Sequence, residues 1–254
     1  MTRPILIIGD SHLGALKRGM DMDPGRFPDV SFLPLGKGSA VPRKFYEHDA
    51  EAGIVRTIAP GWQNTEFTAG MQKSSSQRQL LVVSLPLNTS RILRDVSWHT
   101  HVPWQLRRSE AETPLSDQLV ERLIDQDSRY AIGFMTALIA IGLDAVVLEA
   151  PRFFETASYL PRTRLEVCQY IDALYRERVR AGLAAAGVGV IDQPAETISD
   201  RGTTRLEYDH EDPRDTHHAN ALYGQLALDR ILSYAAAGAE REHDLGSSLS
   251  HGLH

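Results

Sequence analysis

The sequence predicts an α/β fold built on a mostly parallel five-stranded sheet. Three observations predict it. Short apolar runs alternate with segments of helical period, which places helices between successive strands and on both faces of the sheet. The runs are continuous rather than alternating, as strands buried on both faces require. Serine, glycine and asparagine collect just after the strands, at the edge where such sheets bind ligands.

The elements follow in order. Residues 4–10 form a buried first strand, Pro4-Ile5-Leu6-Ile7-Ile8-Gly9-Asp10, and residues 12–20 a short helix. Residues 29–35 form a second strand that ends at Gly36-Lys37-Gly38. Residues 53–59 and 62–68 flank Pro60-Gly61, a pair suited to a type II turn, so a hairpin is inserted here. Residues 79–87 form the third strand, and residues 89–114 a long lid-like loop rich in Trp, His and Arg. A long helix starts near Ser116, whose hydroxyl suits an N-cap. Residues 144–149 form a strand stopped by Pro151, residues 162–186 a helix stopped by Gly187, and residues 188–191 a short fifth strand. Residues 218–236 form the last helix. We read residues 1–238 as one domain and the polar, aperiodic residues 239–254 as a disordered tail.

Composition narrows the function. The chain has 254 residues and a formal charge of −6, so a phosphate backbone offers it no electrostatic gain and nucleic acid is not its partner. Its one cysteine, Cys168, cannot form an intrachain disulfide or a thiolate metal cluster, and its helical setting reads as a buried, inert thiol. The apolar start is too short for a signal peptide, and the longest apolar stretch, Tyr130 to Leu143, is too short to span a bilayer. A cytoplasmic protein with no membrane partner is expected.

The chemistry is suggested by the two ends. Ser11 follows the first strand and precedes a helix, whose N-terminus directs backbone N–H groups at the same place. Asp215 and His218 lie three residues apart near the other end, close enough for one turn to bring carboxylate to imidazole. A serine hydroxyl is a weak nucleophile unless a base takes its proton, a third group orients that base and donors await the oxyanion. The alternative for Asp10, Ser11 and Asp215 is helix capping.

Gly9-Asp10-Ser11 after strand one and Asp215-Thr216-His217-His218-Ala219-Asn220, followed by Tyr223-Gly224, resemble the motifs of the SGNH hydrolase superfamily, the GDSL-type esterases. The resemblance spans nearly the whole chain in order. It implies a flavodoxin-like three-layer sandwich and a serine-dependent ester hydrolase that works through an acyl-serine and needs no cofactor or metal. It implies Ser11 as nucleophile, His218 as base and Asp215 as orienter. The oxyanion hole would comprise the Ser11 N–H, an N–H of Gly36 or Gly38, and the side chain of Asn88. The family's third block usually reads Gly-x-Asn-Asp, whereas this chain has Pro86-Leu87-Asn88-Thr89. His12, Trp98, His99 and Trp104 are candidate substrate contacts; the Trp and Arg residues of 91–108 could stack on a sugar or hold an anionic acyl donor, or simply pack a lid and its solvated face. His217 is expected to point away from the serine if His218 faces it. The expected substrate is a small-molecule or carbohydrate ester, with O-acetyl groups the first choice. An O-acyltransferase, a non-catalytic binding protein and a metallohydrolase using His99, His101 and the acid and histidine residues of 209–218 are the rival readings.

Overall fold

The computed structural model describes residues 3–72 and 78–250, with side chains described for 3–71 and 78–238. Along the chain run β1 (Ile5–Gly9), α1 (Leu13–Met22), β2 (Val30–Pro34), β3 (Tyr46–Asp49), β4 (Ile54–Thr57) and β5 (Glu66–Thr68). Then come β6 (Leu80–Ser84), α2 (Ser90–Leu93), β7 (His101–Pro103), β8 (Thr113–Leu115) and α3 (Asp117–Ala140). The chain continues with β9 (Ala145–Leu148), α4 (Leu165–Ala185), β10 (Gly189–Ile191) and α5 (Ala221–Ser250).

The central sheet has the order β10-β9-β6-β1-β2, and every pair in it is parallel. Counting only its strands, the order is 2-1-3-4-5, the doubly wound arrangement of flavodoxin-like proteins. Alternate side chains feed two cores. Ile5 and Ile7, with Leu80, Val82 and Val146, face α1 and α5. Ile8, Leu81, Val83 and Val147 face α3 and α4. Burial on both sides explains why the inner strands β1, β6 and β9 read as unbroken apolar runs. Helices α1 and α5 cross at very close range. A Cβ on Gly224 would stand 1.9 Å from the Ala15 carbonyl oxygen, and one on Gly19 would stand 2.5 Å from Gln225 N. Cys168 is buried in α4, and burial, reinforced by the charges of Asp172 and Glu166, pushes its thiol up to about 12.

Four expectations need correction. The inserted hairpin is a three-stranded antiparallel sheet, β3-β4-β5. Strand β3, Tyr46-Glu47-His48-Asp49, is largely exposed and polar, so it carries no apolar pattern. The expected turn is present: Gly61 has φ +77°, and Trp62 N donates to the Ala59 carbonyl at 3.0 Å. The lid-like loop is largely ordered into α2, two 3-10 turns and the parallel pair β7-β8. Trp98 pins it, donating from Nε1 to the Ile92 carbonyl at 2.7 Å. The last helix begins at Ala221, not 218, because Asn220 Oδ1 accepts from Tyr223 N and caps it there. The same helix runs through residues 239–250, where an aperiodic tail is expected from the polarity; Ala, Glu and Arg there are strong helix formers. Residues 251–254 lie outside the described residues. Among the described residues, no helix is long and apolar enough to cross a membrane.

Candidate active site

The switch point of this sheet lies between β1 and β6, where the chain first winds one way and then the other, leaving a crevice at the strands' carboxyl ends. Ser11 follows β1 and Asn88 follows β6, so both arrive there by topology. Gly9 is needed for proximity rather than for a turn of unusual φ: a Cβ on it would stand 2.9 Å from the Ser84 carbonyl oxygen. Asp10 is buried, and its Oδ1 accepts from His12 N at 3.0 Å. The N-cap residue, His12, makes no side-chain capping bond, and the Ser11 hydroxyl is directed elsewhere.

That hydroxyl meets His218. The loop before α5 carries His218 Nε2 to 2.8 Å from Ser11 Oγ, although the two residues are 207 positions apart. His218 Nδ1 is 2.7 Å from Asp215 Oδ2, while Asp215 Oδ1 accepts from His218 N at 3.2 Å. Burial works against the Asp215 carboxylate, but the hydrogen bonds and charge of His218, with His217, outweigh it and lower Asp215 to about 2. An ionised carboxylate only accepts, so Nδ1 carries the ring proton and Nε2 presents its lone pair to the serine hydroxyl. His218 therefore sits in the loop, not at the start of the helix.

His217 does not point away. Its ring centroid lies 3.8 Å from that of His218, and its Nδ1 lies 3.0 Å from Asp215 Oδ1. His12 packs against both, 4.9 Å from the His218 ring and edge-on to His217 at 6.2 Å. Burial first, with His218 and the charge of Arg94 adding to it, lowers both His12 and His217 to about 4 against the opposing pull of Asp10 and Asp215, so both rings are neutral at neutral pH.

Asn88 is buried, and its Oδ1 accepts from Ser90 N at 3.1 Å and from Ser90 Oγ at 2.8 Å. A backbone N–H can only donate, so the amide oxygen faces Ser90 and the NH2 group is turned away from it. The next residue, Thr89, donates from Oγ1 to Asp172 Oδ1 at 2.6 Å. Asp172 in turn takes Arg152 at 3.0 Å and Arg176 at 2.9 Å. Thr89 thus stands where the resembling block has an acid, and α4 supplies a carboxylate to the same spot.

Ser11 and Asn88 open on a cavity of about 960 Å³, with Asp215 and His218 behind its lining. Ser11, His12, Gly38, Asn88, Trp98 and His217 line it. The two candidate glycines part company here. Gly38 is in the wall, packed so that a Cβ would stand 2.2 Å from Asp10 Oδ2. Gly36 instead packs on Trp62, with 2.2 Å between its hypothetical Cβ and Trp62 Cδ1. Two candidate contacts also fall outside the wall. His99 is not in the lining, and Trp104 is exposed, donating to Asp117 Oδ2 at 3.1 Å to close the cover onto α3. His101, Leu115, Leu119 and Leu123 do line the cavity. The leucines could have been suspected from sequence, since Leu119 and Leu123 are one turn apart on the outward face of α3.

Arg91 sits in the wall with its charge met by Asp127 at 3.1 Å, and Tyr175 OH donates to the same carboxylate at 2.9 Å. Asp215, His217 and His218 each offer one possible metal-ligating atom, all within 4.8 Å of one another. Both His218 ring nitrogens already serve Asp215 and Ser11, so a metal would have to displace those bonds.

No protein-family model matches the chain, and no curated protein is significantly similar to it. Solved structures with a similar trace include an extracellular lipase from Streptomyces rimosus (15% identity, TM-score 0.47, covering 92% of this chain and 99% of that one). A GDSL-like lipase from Bacteroides thetaiotaomicron is 10% identical with TM-score 0.43, covering 94% of this chain and 89% of its own. An acetyl xylan esterase is 12% identical with TM-score 0.43, covering 91% and 98%.

Proposed function

We propose that this chain is a serine-dependent hydrolase of carboxylic esters, of the SGNH type. One observation carries the reading: the chain of contacts from Asp215 through His218 to Ser11, at 2.7 and 2.8 Å, at the mouth of a cavity. Ser11 Oγ attacks the ester carbonyl as its proton passes to His218 Nε2. Asp215 holds the ring tautomer and stabilises the imidazolium. The oxyanion is met by the Asn88 NH2 group and by the N–H groups of Ser11 and Gly38. Collapse expels the alcohol, which takes the proton from Nε2. Water, deprotonated by the same nitrogen, then attacks the acyl-serine and releases the acid.

A fluorophosphonate probe tests this. The wild type should be labelled at Ser11, His218→Ala should largely abolish labelling, and Ser11→Ala should lose hydrolysis of short-chain esters. Labelling at another residue, or full ester hydrolysis by Ser11→Ala, would refute it.

A further inference from the structure

The walls of the cavity carry charge that is unevenly spent. Each acid in the wall is engaged. Asp10 accepts from His12 N, Asp95 accepts from Ser97 N, and Asp127 is paired with Arg91 and Tyr175. Two cations in the same wall are not. Neither Arg94 nor Lys37 makes a side-chain hydrogen bond or ion pair with any described residue, and both are exposed to the cavity side of the protein. Arg94 closes the C-terminal end of α2, and its charge reaches His12 and His217, helping to lower both. It lines the same cavity as Ser11, His12, Asn88 and His217, on a molecule whose formal charge is −6.

The same wall also carries apolar side chains, Ile92, Trp98, Leu115, Leu119 and Leu123. Leu119 and Leu123 are 43% and 38% exposed, so α3 presents apolar surface that the protein itself leaves uncovered. A guanidinium in the wall of an open cleft beside apolar side chains favours an oxyanion, which it can hold through two parallel N–H bonds.

We propose that the substrate is an ester with an apolar body that carries a carboxylate or phosphate group near the scissile bond, and that Arg94 selects it, with Lys37 as the second cation. This rests on the serine-hydrolase reading above and names its substrate class.

The test separates the two. Ser11→Ala is titrated by calorimetry with phenyl acetate, 4-acetoxybenzoate and 4-acetoxyphenyl phosphate, and wild type is assayed on the same three. We expect at least one anionic ester to be favoured over phenyl acetate about tenfold or more, in binding and in kcat/KM, as a charge-assisted contact provides. The preferred arm tells carboxylate from phosphate. Arg94→Gln should bring the ratio close to one, and Arg94→Lys should keep part of it. The preference should also shrink as salt is raised. Equal binding of all three esters, or a preference that survives Arg94→Gln, overturns the proposal. Anion-selective binding by Ser11→Ala without turnover by wild type supports the anion site and refutes the serine reading instead.

Discussion

His12 should make this protein acid-sensitive. Its ring is 8% exposed, packed against His218 at 4.9 Å and within reach of the charges on Arg91 and Arg94. Burial is the largest cause of its shift; Asp10 opposes it, and His218, Arg91 and Arg94 add to it. In the unfolded chain the imidazole binds its proton near 6.5, and in the folded protein only near about 4. Between those values the unfolded state holds more protons, so stability falls as pH is lowered through that window and levels off below it. At about 1.4 kcal/mol per pH unit, His12 alone costs about 3 kcal/mol by pH 4. For a domain of this size each kcal/mol moves Tm by about 2–4 °C, so the expected contribution is about 6–12 °C. The perturbation is His12→Gln, which keeps similar bulk and cannot be protonated. Scanning calorimetry at pH 7, 5.5 and 4 should show the wild type losing about 6–12 °C more than the variant over that range. Titrating groups remote from His12 are common to both proteins and drop out of the comparison. Parallel Tm curves for the two would refute the reasoning.

Two further outcomes test the site and the scaffold. Ser90→Ala removes one of the two bonds that orient the Asn88 amide, so kcat on a small ester should fall about 3–10-fold with KM little changed, since an oxyanion donor acts mainly in the transition state. A rise in KM alone would show that Ser90 only contacts substrate. Gly224→Ala would place a methyl where α1 and α5 nearly touch, 1.9 Å from the Ala15 carbonyl oxygen. It should cost about 1–3 kcal/mol or more in urea unfolding, and an unchanged midpoint would mean that the crossing is looser than described.

The inner strands β1, β6 and β9 were legible because double burial leaves unbroken apolar runs, and the helix at Ser116 because its hydroxyl caps Leu119 N as its chemistry suggests. What escaped was structure without an apolar period. Strand β3 is polar and exposed, and the cover over the cavity is held by Trp98 and Trp104 bonding to partners outside any repeating pattern. The choice between Gly36 and Gly38 was closed to local reading for a similar reason. Both follow β2 in a glycine-rich stretch, and only their packing partners, Trp62 in one case and Asp10 in the other, separate them.

The residue types and their order along the chain determined which chemistry this protein can carry: a hydroxyl after β1, an amide after β6, and a carboxylate three residues before an imidazole. Those are local facts, set by side-chain identity and short spacing. Tertiary structure alone decided that His217 faces the cleft beside His218, that Thr89 borrows its acid from α4, and that Arg94 and Lys37 stand in the cavity wall with no side-chain partner among the described residues. Each of those depends on distances between segments remote in sequence, which only the packing of helices against the sheet sets.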